Sequence, residues 1–194
     1  MKFEIFKFKS VTSTNDIAIS LIKDKKKEKG YVYSLRQTKG RGTQGKEWIS
    51  LEGNLFGTIF FPLKNNYPTF DEFSIINPVI ISDTVKHFCK DKNISLKFPN
   101  DILLNGKKIG GILQETIILN DIKFLIIGMG VNLVISPNID KDYKVTNIFY
   151  ETGDKPSIIQ MIQYIISSYE KFFANLHKYK FSSFKEKADT MVLN

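Results

Sequence analysis

Asp101 and Lys108 flank Asn105-Gly106, and the chain continues through Ile109-Gly110-Gly111-Ile112-Leu113. Asn105-Gly106 is the signature of a two-residue type I′ turn, whose central residues both need φ > 0. Folding there brings a carboxylate and an ammonium together at a sheet edge, beside glycines that leave the backbone open to close approach. Such a hairpin is equipment for a phosphorylated or carboxylated ligand, although an ordinary hairpin with a surface lysine has the same composition. Lys97-Phe98-Pro99-Asn100 runs directly into Asp101 and adds another lysine to the group.

A second cluster, Gln37-Thr38-Lys39-Gly40-Arg41-Gly42-Thr43-Gln44-Gly45-Lys46-Glu47-Trp48, gathers three glycines, Arg41, two lysines and the sole tryptophan. Gly40, Gly42 and Gly45 spell G-x-G-x-x-G, but a dinucleotide fingerprint must open into a helix whose N-terminus meets the pyrophosphate. Here the run that follows, Leu55-Phe56-Gly57-Thr58-Ile59-Phe60-Phe61, reads as a strand, so the Rossmann reading fails. No G-x-x-x-x-G-K-[ST] occurs, which removes the P-loop. What remains is a flexible cationic loop between strands whose amides and Arg41 could wrap an anion.

The elements that must carry these groups form an α/β (α+β) mixture. Phe3, Ile5, Phe8 and Val11 suggest an opening strand, and Ser13 or Thr14 caps a helix with Ile17, Ala18, Leu21 and Ile22 on one face. Strands near 31–36 and 55–61 flank the glycine loop. A helix around 71–89 carries Phe73, Ile76, Ile80, Ile81, Val85 and Phe88, with Pro78 as its kink or start. Strands near 94–98, 101–105, 108–118 and 122–134 form a meander turning at Asn105-Gly106 and Asn120-Asp121. A final helix starts at Pro156 and carries Ile158, Ile162, Ile165, Tyr169, Phe172 and Leu176. Tight turns between consecutive strands predict a largely antiparallel mixed sheet with helices packed on one face.

Composition sets the outer bounds. With 194 residues, 42% hydrophobic and 25% charged, the chain fits a single domain spanning 1–194 with a real core. The apolar runs are too short or too interrupted to span a bilayer, and Met1-Lys2-Phe3-Glu4-Ile5 has no signal-peptide pattern. One cysteine, Cys89, excludes an internal disulfide, suits a reducing cytoplasm and reads as packing. His87 and His177 are far apart without partner ligands, so no zinc or iron cluster is indicated. The net charge of +8 raises nucleic acid as a partner. Much of the excess lies in Lys23-Asp24-Lys25-Lys26-Lys27-Glu28-Lys29, at the end of the first helix and before Gly30, which is expected to close it. Cations there complement the helix dipole. A basic rim would also attract ATP and an acidic acceptor.

Ser13-Thr14-Asn15, Gly40-Arg41-Gly42 with Gly45 and Trp48, Lys97-Phe98-Pro99-Asn100-Asp101, Lys108-Ile109-Gly110-Gly111-Ile112-Leu113 with Glu115, and Gly128-Met129-Gly130-Val131-Asn132 resemble the ordered motifs of biotin protein ligases. The resemblance runs from about Ser13 to about Tyr179. It implies the biotin/lipoate ligase catalytic fold and an enzyme that joins biotin to ATP as biotinyl-5′-adenylate. The biotinyl group then passes to a lysine of a biotin carboxyl carrier protein. By the same resemblance Lys108, Arg41 and Asp101 are the catalytic group, with Lys108 against the biotin carboxylate and the α-phosphate. Loss of such a cation costs about 3–4 kcal/mol of transition-state stabilisation.

Biotin binding falls by resemblance to Ser13, Thr14, Asn15 and Gln37 around the ureido ring, with Gly40, Arg41, Gly42, Lys108, Gly110, Gly111 and Gly128. A buried cyclic urea demands paired donors and acceptors, each worth about 1–3 kcal/mol if left unpaired. ATP falls to Arg41, Trp48, Lys97, Asn100, Lys108 and Asn132, with Trp48 stacking on adenine. Mg2+ comes with the phosphates; Asp101 either orients Lys108 or helps to hold that ion.

The departures carry expectations of their own. Phe98 stands where the family has Trp. Thr43, Gln44 and Lys46 replace a run of arginines, so the adenylate should be held less tightly. The chain enters its motifs at once, so a DNA-binding repressor domain is not expected. It ends near where many members begin a small C-terminal β-domain, which is absent or truncated. A homodimer is left open. A lipoate or octanoate ligase shares the fold but not the Lys97-Phe98-Pro99-Asn100-Asp101 box. A basic nucleic-acid-binding domain would rest on the pI of about 9.4 alone.

Overall fold

The computed structural model describes residues 1–138 and 144–192. Seven strands form one sheet in the order β1-β2-β3-β7-β6-β5-β4: β1 (Glu4–Phe8), β2 (Gly30–Ser34), β3 (Leu55–Pro62), β4 (Ile94–Lys97), β5 (Asp101–Leu104), β6 (Lys107–Leu119) and β7 (Ile122–Val131). Only β1 and β2 pair in parallel, and every other neighbouring pair is antiparallel. The crossover between β1 and β2 is helix α1 (Thr14–Lys25), the connection that a parallel pair requires. The two meander turns form as expected. Asn105 and Gly106 have φ of 51° and 73°, and Asn120 and Asp121 have φ of 48° and 62°.

The helices do not share one face. Along β3, Leu55, Ile59 and Phe61 point into a large core under α2 (Phe70–Lys86) and α4 (Ile158–Ala174). Phe60 points the other way, with Val32, Phe124 and Ile126, onto Ala18 and Ile22 of α1. The period-two alternation of a doubly covered strand makes both faces apolar. The expectation of helices on one face is therefore corrected: α1 packs alone on the second face, and that is where its N-terminus meets the sheet.

Further differences have local causes. Helix α2 continues through Pro78, and its start is set by Thr69 and Glu72 instead. Glu72 N–H donates to Thr69 Oγ1 at 3.2 Å and Thr69 N–H donates to Glu72 Oε2 at 2.7 Å. Gly30 does not close α1; Lys26 takes the left-handed cap (φ 52°), and Gly30 begins β2. Ser157 caps α4, so that helix begins after Pro156. Two short helices escaped the periodicity, α3 (Ile148–Thr152) and α5 (Phe181–Met191), the latter with one buried residue, Ala188. Cys89 is buried in the large core, and burial pushes its thiol up to about 12, as suits a packing residue. Among the described residues no helix is long and apolar enough to cross a membrane.

Candidate active site

A cleft open to solvent at its mouth, enclosing about 110 Å³, lies on the α1 face of the sheet. Its inner end is built by the start of α1. Ser13, Thr14 and Asn15 are each no more than 3% exposed. Ser13 occupies the N-cap position but makes no side-chain cap bond, so its hydroxyl is not spent on the helix. Gln37 reaches across instead: its Oε1 accepts from Thr14 N–H at 2.8 Å and from Thr14 Oγ1 at 3.1 Å. From β3, the Thr58 hydroxyl is shared between Thr14 Oγ1 at 2.8 Å and Asn15 Oδ1 at 2.6 Å. Gly128 lies beneath, and a Cβ there would run into the Asn15 amide.

The β5–β6 hairpin supplies the cation. Asp101 pairs with Gly111 and Leu103 with Lys108, with a register shift between Ile102 and Leu103. Lys108 and Gly111 are an odd number of residues apart, so simple alternation would put them on opposite faces. The bulge restores them to the same one. Lys108 Nζ then lies 2.7 Å from Asp101 Oδ1, with the two side chains 17% and 21% exposed. Gly110 goes the other way, opposite Ile102 and Val131 of the core.

The glycine loop closes the near side. It forms a small hairpin, with Arg41 bridged to Glu47 and Gly42 N–H bonded to Lys46 O at 2.7 Å. A 3-10 turn, Thr43–Gly45, sits at its tip. Arg41 Nη1 and Nη2 donate to the two oxygens of Glu115 at 2.7 and 2.9 Å, and Nη2 also donates to Asp16 at 2.8 Å. Burial pulls the Arg41 guanidinium down, but pairing with Glu115 and Asp16 outweighs it and holds the group above its ordinary value. Trp48 lies across the sheet strip of Gly111 and Gly130, where any Cβ would strike its ring. Lys108 Nζ is 5.7 Å from the indole centroid. Trp48 Nε1 is buried and makes no hydrogen bond within the described residues.

Of the residues expected from sequence, Ser13, Thr14, Asn15, Gln37, Arg41, Gly42, Trp48, Asn100, Lys108, Gly111, Gly128 and Asn132 line this one cleft. Asp101 stands behind Lys108. Gly40, Lys97 and Gly110 are not in the lining: Gly40 packs against Trp48 O and Ser50, and Lys97 is exposed at the end of β4. Asn132 also braces the wall, since its side-chain amide donates to Thr146 O at 3.1 Å. Thr58 and Asp16 were missed. A hydroxyl inside the apolar run of β3 was the only signal for Thr58, and Asp16 reads as an ordinary first-turn acid. Among the described residues, no three His, Cys, Asp or Glu side chains converge as a metal site.

A profile of the Biotin/lipoate A/B protein ligase family matches residues 7–132. The chain is 29% identical over 184 residues to the bifunctional ligase/repressor BirA of Bacillus subtilis, covering 90% of this chain and 55% of that protein. It is 31% identical over 110 residues to the biotin--[acetyl-CoA-carboxylase] ligase of Paracoccus denitrificans, covering 56% of this chain and 46% of that one. It thus spans about half the length of these relatives. In fold it is similar to the biotin protein ligase from Aquifex aeolicus in complex with biotin and ATP (TM-score 0.80, 24% identity, 98% of this chain and 78% of that one). It is likewise similar to the biotin protein ligase of Leishmania major in complex with biotinyl-5-AMP (TM-score 0.78, 26% identity, 98% and 81%). The profile spans more than half of the chain, from the opening strands through β7, and the chain belongs to the biotin/lipoate A/B protein ligase family.

Proposed function

We propose that this chain is an ATP-dependent biotin protein ligase. The observation that carries the reading is the polarity gradient of the cleft. Its inner end holds neutral hydrogen-bonding groups (the buried Ser13, Thr14 and Asn15, with the half-buried Gln37, backed by Thr58), while Lys108 and the exposed Arg41 supply the charge. A ligand with a neutral polar ring at one end and a carboxylate at the other fits this gradient, and biotin is such a molecule. Lipoate and octanoate present apolar ends, which offer no partner to the Ser13 hydroxyl, and a buried polar group left unpaired costs about 1–3 kcal/mol. The relatives with biotin, ATP or biotinyl-5-AMP in their names support the same choice.

In the first step a biotin carboxylate oxygen attacks the α-phosphorus of ATP, and the bond to pyrophosphate breaks. Two anions must meet, so fixed cations at the junction lower the barrier. Lys108 serves both groups, and its 2.7 Å contact with Asp101 supports a positioning role for that acid. With Asp101 Oδ1 already on Lys108 and accepting from Asn100 Nδ2 at 3.2 Å, Mg2+ is best held by the nucleotide's own phosphates. Arg41 uses three of its N–H donors on Glu115 and Asp16, and a guanidinium has five, so two are left for the ligand. Trp48 offers an aromatic face for adenine at the cleft wall. In the second step the amine of an acceptor lysine attacks the acyl carbon, AMP leaves, and the amine loses a proton. A biotin carboxyl carrier domain is the acceptor, and a cytoplasmic setting supplies the ATP.

The test is pyrophosphate release that requires both biotin and ATP, followed by transfer of labelled biotin to a carrier domain. Release driven equally by lipoate would return the choice to the rival ligase. Salt-sensitive binding to DNA or RNA without ATP dependence would favour the nucleic-acid reading.

A further inference from the structure

Glu115 sits in the middle of β6, paired with Ile126, and its carboxylate joins the two sides of the cleft. On one side it holds Arg41 of the glycine loop in a two-pronged pair, Nη1 to Oε1 at 2.7 Å and Nη2 to Oε2 at 2.9 Å. On the other it accepts from Asn15 Nδ2 of α1 at 2.7 Å. The side chain is 26% exposed, so the group is partly screened and the arrangement is not a loose surface pair. Because an ionised carboxylate only accepts, it fixes which end of the Asn15 amide faces it. The NH2 turns to Glu115 and Oδ1 turns to the Thr58 hydroxyl at 2.6 Å.

We infer that Glu115 is a positioning residue for both ligand ends. It sets the orientation of the Asn15 amide at the polar inner end and the angle of the Arg41 guanidinium at the anionic end, and so ties recognition of the ring to placement of the carboxylate. This role rests on the biotin ligase reading. A neutral glutamine in its place would present an NH2 to donors that need an acceptor. Either Asn15 must then flip, turning its NH2 to the Thr58 hydroxyl in place of Oδ1, or Arg41 must let go of one prong.

The experiment compares wild type, Glu115→Gln and Glu115→Asp in steady-state pyrophosphate release, with thermal midpoints measured alongside. Glu115→Gln is expected to raise the KM for biotin at least tenfold and to lower kcat, with the thermal midpoint nearly unchanged. Glu115→Asp keeps the charge but shortens the reach and should show losses of the same kind, which keeps the test usable if the glutamine variant does not fold. In an Arg41→Ala background, Glu115→Gln should cost less than twofold further in kcat, yet still raise the KM for biotin through Asn15. Wild-type kinetics in a folded Glu115→Gln or Glu115→Asp chain, tighter biotin binding, or fully additive kcat losses would overturn the role. Wild-type protein that releases no pyrophosphate with biotin and ATP would overturn the ligase reading and this role together, whereas active wild type beside variants with unchanged kinetics removes only this role.

Discussion

The two ends of the cleft are held in opposite ways. The inner end is buried and closed by hydrogen bonds between regular elements: α1, β3 and the Gln37 side chain. The outer end is a half-exposed hairpin held by ion pairs, with Arg41 39% exposed between Asp16 and Glu115. Neutral groups can be buried cheaply when they are paired, and at this end Gln37 and Thr58 already pair with Thr14 and Asn15. Cations cannot be buried without a large desolvation cost, so they belong on a wetter wall with carboxylate partners. The contrast suggests a division of labour: the buried end presents neutral hydrogen-bonding groups, and the half-exposed one presents charge.

The largest effect should come from removing the charge that stands between the two ends. Lys108→Ala is expected to lower pyrophosphate release by about 10²–10³-fold, the range for losing one preorganised charge or donor at a reacting centre. The bulged hairpin should still form, because its turn and register depend on Asn105-Gly106 and the strand pairing. Near wild-type release in a folded Lys108→Ala protein would remove this lysine from the chemistry.

Trp48→Ala separates the two ends from the loop side. Base–aromatic stacking contributes about 1–3 kcal/mol, so the KM for ATP should rise well above that for biotin. As the sole tryptophan, Trp48 also reports its own surroundings by fluorescence, and ATP should change that signal in the wild-type chain. Equal losses for both substrates, or only a lower melting temperature, would assign the indole to packing on Gly111 and Gly130.

Thr58→Val cuts into the buried end with almost no change of shape. It removes the hydroxyl shared between Thr14 and Asn15, and an orphaned acceptor there costs about 1–2 kcal/mol. The KM for biotin should rise about tenfold while that for ATP stays within twofold. A rise for ATP of the same size would mean that the two ends are not independent.

How far the sequence foretold this arrangement differs between the ends in the same physical sense. Turn chemistry and periodicity located α1, the glycine loop and the meander, because those signals are local, whereas most of the cleft residues were assigned through the resemblance to biotin protein ligases. The sorting of Gly110 from Gly111 was not local: it depends on a bulge that only the pairing of β5 with β6 reveals. The partners of Arg41 and Asn15 are set by strand register and by α1 crossing to the second face, so Thr58 and the role of Glu115 were invisible in composition. Helix α5 was missed although Phe181, Phe184, Ala188 and Met191 lie at helical spacing along it; the polar residues between them, with only Ala188 buried, made the stripe easy to pass over.

The smallest expected effect concerns the wall behind Lys108. Residues 144–146 run beside it, with Lys108 N–H donating to Lys144 O and Thr146 N–H donating to Lys108 O, both at 2.9 Å. Glu151 of α3 pins that wall by accepting from Lys107 Nζ at 2.8 Å, Thr146 Oγ1 at 2.8 Å and Asn105 Nδ2 at 3.0 Å. The hydrogen bond from Lys107 is the largest influence on Glu151 and holds its carboxyl below the ordinary value, while the same contact raises Lys107. A depressed carboxylate contributes stability that is fully present above its unfolded pKa of about 4.3 and is lost as pH falls through the folded value. The raised lysine contributes below about 10.4 and loses its share as pH rises through its folded value. Glu151→Gln should therefore lower the melting temperature by a few degrees at neutral pH, in line with about 1 kcal/mol for a protein of this size. The gap to wild type should stay level across the neutral range and narrow in acid, where both proteins carry a neutral group. A gap that persists unchanged below the carboxylate range would show that Glu151 acts by shape rather than by charge. A fall in pyrophosphate release at neutral pH, measured well below the melting temperature, would extend its effect through residues 144–146 to Lys108.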